Sequence, residues 1–125
     1  MGRAVVHWEI GAKDAARLQT FYRDLFDWQV HADNPMGYGL VITGGREKGG
    51  IDGGIMSAPP GAPPYMAFYV EVDDLEGTLD RAEQMGARRL IAPMPVEGVG
   101  RIAMFQDPEG NMIGLIHPDM PARKA

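Results

Sequence analysis

His7-Trp8-Glu9-Ile10-Gly11-Ala12-Lys13-Asp14 and, sixty residues on, Ala67-Phe68-Tyr69-Val70-Glu71-Val72-Asp73-Asp74 share one pattern. Each is a short apolar run that ends in an Asp able to cap a following helix. A helix-like stretch comes next in both places, over residues 15–26 and 75–86. The same offset lays Gly50-Ile51-Asp52-Gly53-Gly54-Ile55-Met56 over Gly110-Asn111-Met112-Ile113-Gly114-Leu115-Ile116. A 125-residue chain built from two similar units predicts one domain with a pseudo-twofold axis and a cleft where the units face each other.

Alternation sorts the first strand into two faces, Val5, His7 and Glu9 against Val6, Trp8 and Ile10. Asp14 opens a helix whose Ala15, Leu18, Phe21, Tyr22, Leu25 and Phe26 recur at helical spacing, which predicts one buried stripe. Strands are expected at residues 28–31, 38–43 and 51–57, with a turn over 33–37 and a mobile loop over 44–50. Ala58-Pro59-Pro60-Gly61-Ala62-Pro63-Pro64 is read as a stiff, extended spacer. The second unit repeats the order. A strand covers 65–72, and Leu75, Leu79, Ala82 and Met85 mark one helix face that Gly86 caps. Strands follow near 88–92, 100–106 and 111–117, and Asp107-Pro108-Glu109-Gly110 fits a type I turn. The expected organisation is a single α+β domain of two βαβββ modules. Module 1 covers about 4–57, the spacer 58–64, module 2 about 65–118, and a frayed tail 119–125. The mixed sheets would curl around a central groove.

Composition removes several functions. The net charge is −5 with only 12 Lys and Arg, which leaves no basic footprint for nucleic acid. No apolar run approaches the ~18 residues of a membrane span, and no secretory h-region is seen at the N-terminus. The absence of cysteine excludes disulfides, Cys-ligated zinc and thiol catalysis. A cytoplasmic protein that meets neither nucleic acid nor membrane is the expectation.

Paired βαβββ units of this length resemble the vicinal oxygen chelate superfamily, which includes glyoxalase I, bleomycin-resistance proteins and extradiol dioxygenases. The resemblance runs from Val5 to about Pro118. It rests on Phe21-Tyr22-Arg23-Asp24-Leu25-Phe26-Asp27-Trp28, on Val70-Glu71-Val72-Asp73-Asp74-Leu75, and on Phe105-Gln106-Asp107-Pro108-Glu109-Gly110-Asn111-Met112-Ile113-Gly114-Leu115. It implies a homodimer, since short members commonly pair; the modules would pair within one chain or be exchanged between two.

Enzymes of that family hold a divalent metal with four side chains, from the first and last strand of each unit. Those positions fall here on His7, Gly54, Ala67 and Gly114. Only His7 can ligate, whereas catalytic sites supply about three protein ligands. No cofactor is therefore expected, and the alternative is a divalent metal such as Zn, Fe, Mn or Ni held partly by His7. Alternation places Glu9 beside His7, and Tyr69 is its repeat partner. His7, Glu9 and Tyr69 are thus the catalytic candidates, with Glu9 as a general base; the bland reading is that Glu9 and Tyr69 only hydrogen-bond and close the groove.

Among nine methionines, Met56, Met112 and either Met66 or Met104 would border the groove, although core filling is the ordinary role of Met. With Gly54, Ala67, Tyr69, Gly114 and Ile116 they outline a roomy, mostly apolar pocket for a small, mostly apolar or aromatic organic ligand that His7 or Glu9 would fix. His31 and His117 read as strand-end residues. The first reading is ligand binding without chemistry. The alternative is an enzyme of the same superfamily, a lyase or isomerase ahead of a dioxygenase.

Overall fold

The computed structural model describes residues 2–33, 38–44, 46–96 and 99–118. Most of the turn expected at 33–37, Gly45 of the glycine loop, and the whole expected tail at 119–125 lie outside the described residues. The elements run β1 (Val5–Ala12), α1 (Ala15–Phe26), β2 (Gln29–His31), β3 (Gly39–Ile42), β4 (Gly53–Ser57), β5 (Tyr65–Glu71), α2 (Leu75–Gln84), β6 (Arg88–Val96), β7 (Gly100–Gln106) and β8 (Met112–His117). This is an α+β chain in which the order βαβββ occurs twice, as the repeat predicts.

The chain divides into two compact units. One is Val6–Ala67; the other runs from Phe68 onward and includes Val5 and the residues before it. The spacer thus belongs with the first unit, and the chain leaves that unit inside β5. Each unit holds a mixed sheet of the same topology. In the first, β2 pairs antiparallel with β3, β3 antiparallel with β4, and β4 parallel with β1. In the second, β6 pairs antiparallel with β7, β7 antiparallel with β8, and β8 parallel with β5. The sixty-residue offset survives in the pairing itself. Glu9 faces Gly54 and Gly11 faces Met56, while Tyr69 faces Gly114 and Glu71 faces Ile116.

Both helices start where the sequence places them. Asp14 accepts from the Arg17 amide at 3.2 Å, and Asp74 accepts from the Gly77 amide at 3.0 Å, each satisfying an amide that the first turn leaves unpaired. Each helix covers one face of its own sheet. Around α1 the buried set is Ala12, Ala15, Val41 and Ile55, with Trp8, Ile10, Leu18, Tyr22, Trp28 and Val30 packed against it. Around α2 it is Val72, Leu75, Leu79, Ala103 and Leu115. Fully burying a side chain such as Ile55 or Leu75 is worth about 1.5–3 kcal/mol.

The predicted stripe of α1 is only half right. Phe21, Leu25 and Phe26 are each more than half exposed, at 53%, 58% and 51%. The Gln19 amide donates to the Ile55 carbonyl at 2.8 Å, so the covered arc is centred on Ala15, Gln19 and Tyr22. That rotation carries Phe21 and Leu25 outward, while Phe26, in the last turn, stacks on Tyr22 and Trp28 instead. In α2, Leu75 and Leu79 are fully buried as expected, but Met85 is exposed at the helix end. Within the stretch expected to be a mobile loop, Arg46–Lys48 forms one 3₁₀ turn.

The spacer is not extended throughout. Ala62 N–H donates to the Pro59 carbonyl at 2.9 Å, and Gly61 has φ 80°. Pro60 followed by a positive-φ glycine is the type II turn that the residue order encodes. At the predicted Asp107–Gly110 turn, Gly110 N–H closes on the Asp107 carbonyl at 2.9 Å. The Asp107 carboxylate accepts from the Asn111 side chain and from the amides of Asn111 and Glu109, and these bonds, the Asn111 side chain's foremost, hold its pKa below the usual carboxylate value.

Gly86 ends α2 as foreseen, with φ 105°. Ala87 N–H reaches back to the Ala82 carbonyl at 2.9 Å and Gly86 N–H to the Glu83 carbonyl at 3.1 Å, the two bonds of a Schellman cap. A Cβ at Gly86 would meet nothing closer than Pro108 at 3.6 Å, so only the backbone angle resists substitution. Gly86→Ala is expected to cost about 1 kcal/mol, seen as a lower urea midpoint with an unchanged slope.

A tyrosine-bridged carboxylate as candidate functional site

Strand alternation divides β1 between two surfaces. Trp8, Ile10 and Ala12 pack on the core beneath α1, which leaves His7, Glu9 and Gly11 on the opposite face. The register of β1 and β4 sets Gly54 and Met56 on that same face. Leu40 of β3 also pairs with Gly54, and Tyr38 lies two residues before it, immediately ahead of β3.

Four titratable side chains meet there. His7 Nε2 and the Tyr38 hydroxyl are 2.7 Å apart, with the two rings roughly parallel at 21°. The Tyr38 hydroxyl also donates to Glu9 Oε1, over a long 3.5 Å. The Tyr65 hydroxyl donates to Glu9 Oε2 over 2.5 Å, the length of a strong charge-assisted bond. Tyr38 has one hydroxyl proton for these two contacts, so the His7 tautomer decides whether the imidazole donates to the phenol or accepts from it. Glu9 is only 5% exposed and is the one buried charged residue among the described residues.

Glycines make this arrangement possible. A Cβ at Gly54 would fall 1.9 Å from the Tyr38 hydroxyl oxygen and 2.0 Å from Cζ. A Cβ at Gly11 would fall 2.0 Å from a ring carbon of Tyr65. Each phenol therefore lies flat on a strand where a side chain is missing. The second unit repeats the device: a Cβ at Gly114 would lie 2.4 Å from the ring of Tyr69.

Burial governs the electrostatics. Both Tyr38 and Tyr65 are pushed far above the usual phenol range, first by desolvation and then by the Glu9 carboxylate. His7 is lowered from 6.5 by burial, and the negative charge of Asp52 partly offsets this. Asp52 is held in place by the Thr43 amide at 3.0 Å.

Of the residues chosen from sequence, His7, Glu9, Gly54, Met56 and Ala67 belong to the Val6–Ala67 unit. Tyr69, Met112, Gly114 and Ile116 belong to the other. There Tyr69 is buried, with its hydroxyl 4.0 Å from Met104 Sδ, and Met104 pairs with Gly114. Met104 rather than Met66 therefore shares the Tyr69 face; Met66 is 73% exposed. Within the first unit, Tyr38 and Tyr65 supply the phenols on Glu9, a role the repeat suggested for Tyr69. Sequence reasoning missed both. The available signal was glycine at Gly11 and Gly54, where a strand position without a side chain marks the close approach of a ring. A shallow open hollow of about 520 Å³ lies at the spacer turn, lined by Ala12, Lys13 and residues 58–64. It offers no comparable set of polar groups.

The model of the glyoxalase/bleomycin resistance protein/dioxygenase superfamily matches residues 4–115, and the chain belongs to that family. It is 30% identical over 112 residues to CFP32 of Mycobacterium tuberculosis, a protein named as a glyoxylase, and this covers 86% of the chain and 42% of the relative. It is 27% identical over 117 residues to the anthracycline biosynthesis protein DnrV of Streptomyces peucetius, covering 82% of the chain and 42% of the relative. The chain thus spans about two fifths of the length of these two relatives. Among solved structures, the Mn(II)-bound glyoxalase of Novosphingobium aromaticivorans shares the fold, with a TM-score of 0.68 and 14% identity over 100% of this chain and 42% of that one.

The donor set here does not fit such a metal. No cluster of at least 3 His, Asp or Glu side chains able to hold an ion occurs among the described residues. The position facing Glu9 is a glycine covered by Tyr38, and the His7 nitrogen on that side already bonds the same phenol.

Two titrations check the electrostatics. In an alkaline absorbance titration, Tyr38→Phe and Tyr65→Phe should each leave the tyrosinate rise below pH ~11 unchanged, because neither phenol ionises near the ordinary value of about 10. By NMR the His7 imidazole should titrate below 6.5, and Asp52→Asn should lower it further by removing the charge that favours the imidazolium.

Proposed function

We propose that this protein binds a small, mostly apolar or aromatic organic molecule carrying a hydrogen-bonding group, through the His7–Tyr38–Glu9–Tyr65 cluster and without a resident metal. The observation that carries this reading is the buried Glu9 carboxylate bridged by two phenols. Such a cluster offers one strong acceptor, two hydroxyls and an imidazole within a few ångströms, which is recognition chemistry for a hydroxyl, amide or carbonyl. The name of DnrV, an anthracycline biosynthesis protein, supports an aromatic ligand, since anthracyclines are flat polycyclic molecules rich in hydroxyl and carbonyl oxygens.

The second reading is a lyase or isomerase of the same superfamily with Glu9 as general base, which the glyoxylase name of CFP32 favours. Both carboxylate oxygens already accept from phenols, so proton abstraction requires one hydroxyl to move aside. Giving up a hydrogen bond to a charged group costs about 1.5–3 kcal/mol. Binding needs only an exchange of one hydroxyl for another, which makes it the simpler use of this geometry.

Thermal-shift screening against hydroxylated aromatics and dicarbonyl compounds tests the proposal. A ligand at about 100 times its Kd adds roughly 2.7 kcal/mol of stability, a rise of several degrees in Tm. Glu9→Gln should abolish that rise while keeping the fold. If the ligand shift is the same in Glu9→Gln, the cluster is not the binding site. If the bound compound is turned over and Glu9→Gln stops the turnover without weakening binding, the base reading replaces the binding one.

A further inference from the structure

The geometry points to Tyr38 as a specificity-determining residue. Its phenol occupies, over Gly54, the space a side chain from β4 would need to approach His7, and so closes the cluster to a divalent cation. This stands apart from the identity of any organic ligand.

Gly54 is the β4 partner of Glu9 in the parallel register and of Leu40 in the antiparallel one, so a side chain there would emerge on the His7–Glu9 face. Its first carbon would sit 1.9 Å from the Tyr38 hydroxyl oxygen, 2.0 Å from Cζ and 2.3 Å from Cε2. Real Cβ atoms do not approach other atoms that closely, and the obstacle is a ring, stiffer than the flexible end of a long chain. A third donor at this position therefore requires Tyr38 to leave. The two donors that remain are already engaged by phenols, His7 through Nε2 and Glu9 through both oxygens. A cation would have to break those bonds and would gain two protein ligands where catalytic sites use about three.

The second unit carries the same exclusion independently. Gly114 occupies the equivalent register position opposite Tyr69, and a Cβ there would lie 2.4, 2.5 and 2.7 Å from ring atoms of that tyrosine. In both units a glycine and a tyrosine together close the last-strand position to side chains.

Four proteins test this: the unaltered chain, Gly54→Glu, Tyr38→Ala and the double variant. Mn(II) and Ni(II) binding is measured by titration calorimetry and Tm by calorimetric melting. The expected result is weak binding by the unaltered chain and by Gly54→Glu, with affinity tightened by about tenfold or more in the double variant. Gly54→Glu alone should melt well below the unaltered chain, and adding Tyr38→Ala should raise its Tm even though that change by itself removes a packed ring. Should Gly54→Glu fail to fold, the smaller Gly54→Ala replaces it, again with and without Tyr38→Ala. Rescue by the second substitution supports the assignment, and absence of rescue overturns it. One tightly bound equivalent of metal in the unaltered chain, lost in His7→Gln, also overturns it. So does a Gly54→Ala variant that melts with the unaltered chain.

Discussion

Aromatic rings lying on bare strand backbone are the constraint on which this protein depends. Tyr38 lies on Gly54, Tyr65 on Gly11, Tyr69 on Gly114, and on the core side Trp8 lies on Gly53. Each ring needs a missing Cβ, and each glycine sacrifices some strand propensity, roughly 0.5–1 kcal/mol relative to alanine. What is gained is contact area and placement. A tyrosine held flat has its hydroxyl fixed at a definite reach along the strand, and two such hydroxyls converge on Glu9. Desolvation then keeps both phenols protonated, so the cluster presents fixed dipoles around one buried acceptor.

The scaffold was legible in the sequence because it is built from local signals that recur. The Asp caps, the glycine end of α2 and the Asp107 turn each depend on a few neighbouring residues. The sixty-residue offset also matches Glu9 with Tyr69 and Gly54 with Gly114, and the strand register sets each of the first pair opposite its glycine. The partners of Glu9 were less legible for the same reason. Tyr38 and Tyr65 lie outside the quoted repeat, and reaching Glu9 depends on the β3–β4 register and on the ring that Gly11 admits. The outward Phe21 and Leu25 were misjudged because periodicity locates an apolar arc but not its centre, which the Gln19 bond to Ile55 shifts. The Pro59–Ala62 turn is encoded by Pro60-Gly61, a local signal that the stiffening effect of the surrounding prolines masks.

Membership of the superfamily settles the fold and leaves the chemistry open, because a fold carries its function only through the site grafted onto it. CFP32 and DnrV are much longer than this chain, so their whole-protein roles rest on more than the shared region. What this chain keeps is the strand framework that aims side chains from β1 and β4 onto one face. What differs is their nature. His7 and Glu9 remain as possible donors, yet they face phenols and a glycine, a setting suited to exchange of hydrogen bonds.

That exchange has a plausible energetic scale. Tyr65 follows the Pro59–Ala62 turn and the Pro63-Pro64 pair, whose locked φ angles leave the local backbone little freedom. Uncovering Glu9 Oε2 therefore proceeds through the Tyr65 side chain rather than through a hinged segment. The cost is one charge-assisted hydrogen bond, about 1.5–3 kcal/mol, together with the ring contact on Gly11. A ligand with micromolar affinity has about 8 kcal/mol in total, and one that offers its own hydroxyl returns the lost bond directly. In the proposed binding role, a ligand without such a group would bear the loss unrepaid, so the bridge would discriminate by hydrogen-bonding capacity before shape enters.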